Sequence, residues 1–103
     1  MPGAARTTDA TTAHSPCSPG TCSVGSNNVF INNLMAFRVT DMDTPHGVPV
    51  STPTGIVCIP HTTPLAQGSP NVFVNGKPLG RIGDNFSCGI KVASGSGNVI
   101  VNG

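Results

Sequence analysis

Three histidines and four cysteines are the residues of this 103-residue chain with the clearest chemistry, because imidazole nitrogen and thiolate sulfur are typical donors to Zn²⁺. The chain contains three Arg-x-x-Asp motifs, and each is followed four or five residues later by one such side chain, namely His14, His46 or Cys88. Equivalent positions after three equivalent motifs can meet on a common axis. With His61 as a fourth ligand, three nitrogens and one sulfur would fill a tetrahedral shell, so the sequence predicts one structural zinc ion.

The same residues have simpler interpretations. Isolated histidines in polar loops are commonly surface residues, and their register with the three motifs is what favours a metal site. Cys17 and Cys22 could form a disulfide, or Cys17 could replace a histidine ligand because it lies three residues after His14. Cys58 lies in the apolar run Ile-Val-Cys-Ile, which predicts a small buried hydrophobic residue. No signal peptide is visible, so we expect synthesis in the cytoplasm, where thiols stay reduced and metal is favoured over a disulfide.

The Arg-x-x-Asp motifs contain three of the five basic residues and three of the four acidic residues. A chain with little charge that places most of it at equivalent positions predicts a threefold belt of structural ion pairs. A catalytic role is disfavoured, since no paired nucleophile and base, Gly-x-Ser-x-Gly motif or phosphate-binding loop accompanies them. We therefore predict that the chain is not an enzyme. The predicted pairs are Arg6 with Asp9, Arg38 with Asp41, and Arg81 with Asp84.

An internal repeat must position these side chains. Residues 25–41 and 68–84 match over seventeen positions without a gap, and a third copy starts at 95–103 and continues in 1–9. Two whole repeats and one split across the termini predict a closed ring of three in which the chain ends meet. Each repeat opens with a short strand followed by a turn, and Asn75-Gly76 is the strongest two-residue hairpin signal.

The composition supports an all-β fold with a thin core. Thirteen glycines and ten prolines interrupt the chain so often that no segment shows helical periodicity, and there is no tryptophan or tyrosine. We expect one small domain over residues 1–103, a pseudo-threefold β-prism of short hairpins and loops, which needs a metal, a disulfide or a partner for stability. The net charge of +1 argues against a nucleic-acid surface, and no apolar stretch approaches the roughly 20 residues of a membrane span.

The repeats resemble those of the PAAR-repeat proteins, which form the tips of contractile injection machines. The resemblance rests on residues 1–9 (MPGAARTTD) and 68–84 (GSPNVFVNGKPLGRIGD) and covers essentially the whole chain, although no copy spells out Pro-Ala-Ala-Arg. It implies a small cone on the end of a trimeric β-helical spike, sharpened by a zinc ion that three histidines and one cysteine hold. By position, His14, His46, His61 and Cys88 match those ligands.

The resemblance also implies a function and partners. One chain would cap one trimeric spike, of the valine-glycine-repeat or phage central-spike type, as a non-enzymatic, membrane-puncturing tip to which effector proteins attach. It would be made in the cytoplasm, without the toxin extensions of some relatives, and delivered outward on a type VI secretion spike or as a virion component of a contractile phage tail, with brief contact with the target membrane. The strand alternation predicts an apolar docking face at the broad end, formed by Val29, Ile31, Val72, Val74, Val99 and Val101.

Another class of function stays open, that of a free-standing cytoplasmic metal-binding or thiol-redox protein which uses Cys17, Cys22 and Cys58. One tightly held zinc ion that needs Cys88 favours the cap, whereas several labile metal ions or a cycling disulfide favour this alternative. A hydrolytic toxin is a third class, disfavoured because no hydrolase motif is present.

Overall fold

A computed structural model describes residues 2–101, and this part of the chain consists of short antiparallel hairpins, bridges and turns without a helix. The all-β prediction is confirmed. The described residues accordingly contain no helix that could span a membrane. Six strands pair two by two within them: β1 (Phe30–Ile31) with β2 (Leu34–Met35), β3 (His46–Thr52) with β4 (Gly55–His61), and β5 (Phe73–Val74) with β6 (Lys77–Pro78).

The β1–β2 and β5–β6 hairpins are equivalent parts of the two whole repeats and have the same register. Their turns are Asn32-Asn33, with φ of 54° and 67°, and Asn75-Gly76, with φ of 55° and 77°. A type I′ turn requires positive φ at both central residues, and asparagine and glycine adopt it most readily. These two turns can therefore be read directly from the sequence.

The third repeat joins the two ends of the chain. Gly3 bridges Ile100, and the Ala4 N–H donates to the Val99 carbonyl oxygen at 2.9 Å. A segment from each end thus completes one copy, although the turn expected at Asn102-Gly103 lies outside the described residues. The equivalent bonds of the whole repeats run from Ala36 to Val29 (2.9 Å) and from Leu79 to Val72 (3.0 Å).

Backbone hydrogen bonds close the three repeats into a ring. Ala5 donates to Gly80, Gly80 donates to Phe37, and Phe37 donates back to Ala5, with N···O distances of 2.9, 2.9 and 3.1 Å. Each of these residues directly precedes the arginine of its Arg-x-x-Asp motif, so the contact is the same at each corner. The fold is thus a pseudo-threefold ring made by a single chain.

Each Arg-x-x-Asp motif folds into a turn that its own ion pair closes. The arginine backbone N–H and Nε donate to one aspartate oxygen, and a terminal guanidinium N–H donates to the other. The residue before the aspartate has positive φ, and is Thr8, Thr40 or Gly83. The aspartate hydrogen bond raises the arginine pKa above its usual value, against the opposing effect of burial. The N···O distances are 2.9 Å in Arg6–Asp9, 2.8 Å in Arg38–Asp41 and 2.8 Å in Arg81–Asp84.

Two of these arginines also connect one repeat to the next. Arg6 donates to Asn32 at 3.0 Å, and Arg38 donates to Asn75 at 2.9 Å. Both asparagines lie in hairpin turns, so each of these two motifs is bonded to the turn of a neighbouring repeat.

Buried apolar side chains form two clusters, one from the repeats and one mainly from the connectors between them. In the second cluster the rings of Phe37 and Phe86 lie 5.9 Å apart, and Cys88 packs against its side. The predicted ligand Cys88 is therefore anchored to the core. The repeat cluster contains Ala4, Ile31, Ala36, Val74, Leu79 and Val101, and the connector cluster contains Ala5, Cys22, Phe37, Leu65, Phe86, Ile90 and Val92.

The longest hairpin, β3–β4, lies in segment 42–67, for which the sequence predicts only a long connector. Its prolines explain the difference, because a proline inside a strand normally argues against that strand. In a two-stranded sheet both strands are edge strands, so Pro49 opposite Cys58 and Pro60 opposite Gly47 are tolerated. The distal part of this hairpin exposes the apolar side chains Val50, Ile56, Val57 and Ile59, on a molecule that measures 47 × 25 × 20 Å.

Candidate metal centre

The four predicted ligands lie together. Each offers one donor atom, and these atoms are all within 4.8 Å of one another. They come from separate parts of the chain: His14 from the first connector, His46 and His61 from the β3–β4 hairpin, and Cys88 from the third connector. A metal ion bound here would cross-link all three connectors.

The β3–β4 hairpin explains how two of the ligands meet. His46 is the first residue of β3, His61 is the last residue of β4, and the register places them directly opposite each other. Side chains of such a cross-strand pair are close neighbours. Their Nε2 atoms lie 2.8 Å apart, and Cys88 Sγ lies 3.7 Å from His46 Nε2.

His14 completes the group from the first connector. Its ring centre lies 5.1 Å from that of His46 and 5.4 Å from that of His61. Its Nε2 atom is buried and has no hydrogen-bond partner among the described residues. A buried polar atom without a partner is costly, so this nitrogen lacks a ligand that a metal ion would supply.

The spacing of two donor pairs is close to that around a small tetrahedral ion. Zn–N bonds of about 2.0–2.1 Å and a Zn–S bond of about 2.3 Å place two nitrogens about 3.3 Å apart and the sulfur about 3.6 Å from each nitrogen. The observed nitrogen pair, at 2.8 Å, is slightly closer, and the sulfur, at 3.7 Å, is at the expected distance. Three imidazoles and one thiol also match the donor types of zinc. The residues present therefore fit a bound metal.

A fourth aspartate, which sequence reasoning did not select, lies behind this group. The Oδ2 atom of Asp43 is 2.9 Å from His46 Nδ1, and its Oδ1 atom accepts a hydrogen bond from the Thr63 backbone N–H at 2.9 Å. The hydroxyl of Thr63 in turn lies 3.2 Å from Cys88 Sγ. One feature of the sequence could have pointed to Asp43, since it is the single acidic residue outside the Arg-x-x-Asp motifs.

Comparison with known proteins identifies the family. The family model for the PAAR motif matches residues 44–94, which contain three of the four clustered side chains. The chain belongs to the PAAR-repeat family. The predicted resemblance is thereby confirmed.

Three curated toxins are similar to this PAAR-repeat chain. NAD(P)(+) glycohydrolase toxin Tse6 and (p)ppApp synthetase toxin Tas1, both of Pseudomonas aeruginosa, are each 35% identical to it over 81 residues, which are 77% of this chain and 18% of each toxin. Double-stranded DNA deaminase toxin A of Burkholderia cenocepacia is 34% identical over 86 residues, which are 82% of this chain and 5% of that toxin. The chain thus spans less than a fifth of the length of these relatives.

Two cysteines of the PAAR-repeat chain form a disulfide, whereas the sequence favours reduced thiols and offers a Cys17–Cys22 bond only as an alternative. Cys17 is bonded to Cys58, not to Cys22, and Cys58 is exposed on β4, so its interpretation as a buried hydrophobic residue was wrong. Cys58 lies on the face of the hairpin that also carries Gly47, opposite to the face of His46. A Cβ at Gly47 would lie 2.8 Å from Cys17 Cβ, so the absence of a side chain there is what lets the two cysteines approach. The sequence contains no local signal for this pairing, because it depends on the hairpin register.

Cys22 has the buried role that was predicted for Cys58. It is 1% exposed and belongs to the connector cluster. Burial, followed by the charges of Asp9, Asp43 and Asp41, raises the pKa of its thiol to about 12. Cys22 is therefore a buried, protonated thiol at neutral pH, and it is not one of the four clustered donors.

The apolar residues predicted as a docking face lie mainly toward the interior. Ile31, Val74 and Val101 are buried, Val29 and Val72 are half-buried against the same cluster, and Val99 is more exposed. The side chains between them on each strand point outward instead. These are Phe30 (56% exposed), Phe73 (56%) and Ile100 (47%), at equivalent positions of the three repeats. The docking role of the predicted face stays a prediction.

Proposed function

We propose that this chain is a non-enzymatic cap on the tip of a trimeric β-helical spike in a contractile injection machine. The observation that carries the proposal is the closed, pseudo-threefold backbone ring through Ala5, Phe37 and Gly80. A single chain with three nearly equal sides matches the symmetry of three spike chains, so one copy would cap one trimer.

The similar toxins support delivery as the purpose of the module. Their names describe three unrelated reactions, whereas this chain matches only 18% or 5% of their lengths. A segment shared by enzymes with different activities serves what they have in common. We infer that the common role is attachment of an effector to a spike that is delivered outward from the cytoplasm, in a type VI secretion system in preference to a phage tail.

We assign one structural Zn²⁺ to the centre. His14, His46 and His61 would supply three nitrogens and Cys88 one sulfur, which leaves no coordination position for a reacting water. The ion would contribute stability in a fold with a thin core, since structural zinc in small domains contributes on the order of 10–16 kcal/mol of apparent binding energy.

The spike would dock through apolar side chains at equivalent positions of the repeats. The predicted valines and isoleucine stabilise this end from inside, and Phe30, Phe73 and Ile100 supply the exposed apolar contacts. Large exposed apolar side chains in symmetric positions are typical of an interface.

Light scattering of the chain mixed with its purified trimeric spike protein tests the proposal. We expect a complex of one chain with three spike chains. Phe73→Asp should weaken binding at least tenfold, whereas Ile56→Asp, which changes an equally exposed side chain on the β3–β4 hairpin, should leave it unchanged. A self-associated trimer of the chain, or no complex with the spike, would overturn the proposal.

The Cys17–Cys58 disulfide favours one alternative, a free-standing thiol-redox protein. Such a protein would cycle this disulfide with a small-molecule thiol and need no metal. The alternative predicts repeated reduction and reoxidation with the spike absent and zinc removed. A disulfide that resists reduction in the folded, zinc-loaded chain supports the cap.

A further inference from the structure

Asp43 is a buried carboxylate whose partners all lie at the metal centre. It is 2% exposed, and among residues 2–101 no arginine or lysine forms an ion pair with it. Its Oδ2 atom lies 2.9 Å from the Nδ1 atom of His46, and neither atom has a hydrogen-bond partner of good geometry among the described residues. A buried carboxylate needs a donor or a positive group beside it, and the group beside Asp43 is the His46 imidazole.

This contact determines which ring nitrogen of His46 is free. A carboxylate accepts hydrogen bonds and cannot donate them, so a favourable contact requires the proton of the imidazole on Nδ1. The Nε2 lone pair is then directed at His61 and Cys88, which lie 2.8 and 3.7 Å away. Carboxylates that hold metal-binding histidines in this way orient the ring and increase its basicity.

The other carboxylate oxygen of Asp43 is connected to Cys88 through Thr63. Oδ1 accepts the Thr63 backbone N–H at 2.9 Å, which holds the residue whose hydroxyl lies 3.2 Å from Cys88 Sγ. A hydroxyl at that distance can donate to a metal-bound thiolate. The Asp43 side chain therefore positions His46 with one oxygen. With the other oxygen it positions Thr63, whose hydroxyl can donate to the sulfur of Cys88.

We propose that Asp43 is the positioning residue of the metal centre. It orients His46 by direct contact, and it orients Cys88 through Thr63. The inference rests on the metal site of the proposed function and is independent of spike capping. Asp43 is not itself a ligand. Its negative charge also lowers the net positive charge of a Zn²⁺ centre with three neutral imidazoles and one thiolate.

The test measures zinc affinity of the full chain by competition with a chromophoric chelator. Asp43→Asn preserves shape and removes the charge, and we expect zinc affinity to fall 10- to 100-fold. Asp84→Asn is the matched control, because Asp84 is similarly buried (3% exposed) but pairs with Arg81 and touches no ligand; its zinc affinity should change less than threefold. Thr63→Val, which removes only the hydroxyl, should lower affinity by a few fold.

Unchanged zinc affinity in Asp43→Asn, or an equal loss in Asp43→Asn and Asp84→Asn, would overturn the role of Asp43 while leaving the metal centre intact. A wild-type chain that binds no zinc would overturn both. The second readout is the imidazole NMR spectrum of the zinc-loaded chain. We expect a slowly exchanging Nδ1–H of His46 that Asp43→Ala abolishes, and coordination of His46 through Nδ1 would contradict the inference.

Discussion

At the scale of single residues, the absence of a side chain at Gly47 allows the Cys17–Cys58 disulfide to form. Gly47 lies where a Cβ would come within 2.8 Å of Cys17 Cβ and 2.9 Å of Cys58 Cβ. Both distances are shorter than real contacts allow, so the two cysteines and any side chain at residue 47 exclude one another. This constraint acts on the face of the hairpin opposite to His46 and leaves the metal ligands free.

We predict that Gly47→Ala prevents the Cys17–Cys58 bond in most molecules. Thiol titration of the denatured chain should then find four free thiols where the wild type has two. Gly97→Ala is the control, because a Cβ there meets no atom within 4 Å, and it should keep two. Equal thiol counts in both variants would contradict the prediction.

A second prediction at this scale concerns a ligand. His46→Ala should lower zinc content and thermal stability together, because it removes both a nitrogen donor and the partner of Asp43. A loss on the order of 3 kcal/mol would lower the Tm by roughly 10–20 °C in a domain of this size. With excess chelator the difference in Tm between the two proteins should shrink, since only the loss of the Asp43 partner remains, and a wild-type Tm that a chelator does not change would show that metal is incidental.

The third prediction at this scale concerns Cys22 and the stability of the chain at alkaline pH. Its pKa rises from an ordinary 9.0 to about 12 in the folded chain, so the unfolded chain loses this proton first. The stabilising contribution is complete below pH 9 and is lost as pH rises toward 12, with a slope of up to about 1.4 kcal/mol per pH unit. Urea unfolding at several pH values should show this decline in the wild type and a flatter dependence in Cys22→Ala.

At the scale of elements, the hairpins that could be predicted are those whose sequence signal lies within the hairpin itself. The repeat hairpins could be predicted because their turns carry asparagine and glycine where φ is positive. The β3–β4 hairpin could not, because Pro49 and Pro60 oppose strand formation locally and only the partner strand shows that they are at edges. The strand alternation places Phe30 on the face opposite to Val29 and Ile31. Which of the two faces is buried depends on the interior cluster, so the outward orientation of Phe30 could not be predicted either.

The β3–β4 hairpin is also the element best suited to the proposed brief contact with a membrane. No charged residue occurs between Asp43 and Lys77, and the distal part exposes Val50, Ile56, Val57 and Ile59. We predict that the double change Ile56→Ser and Val57→Ser lowers binding to neutral phospholipid vesicles severalfold. Val24→Ser, an exposed valine outside the hairpin, should not, and flotation assays with all three proteins would decide.

At the scale of the whole molecule, symmetry explains what could be predicted of the site. His14, His46 and Cys88 could be selected because they follow equivalent motifs in a threefold repeat. His61 could be selected only as the remaining histidine, since its position opposite His46 depends on a hairpin outside the repeat. Asp43 breaks the symmetry altogether and was missed.

The disulfide and the metal centre join the same two parts of the molecule. Cys17 lies three residues after His14 and Cys58 three residues before His61, so the loop closed by the disulfide is nested within the loop closed by the ligands. Closing the disulfide loop, with a sequence separation of 41 residues, is worth about 4 kcal/mol when nothing else closes it. We predict that reduction lowers the free energy of unfolding by about that amount in the zinc-free chain, and by less than about 1 kcal/mol in the zinc-loaded chain. Equal losses in both forms would show that the two cross-links act independently.

With zinc bound as proposed, the two nested cross-links would act as alternates. A reducing compartment supplied with zinc would keep the connector and the hairpin together through the histidines, and an oxidising compartment poor in zinc would do so through the sulfurs. A protein held in this way keeps one shape while its chemical surroundings change, which is what passage from one cell into another demands.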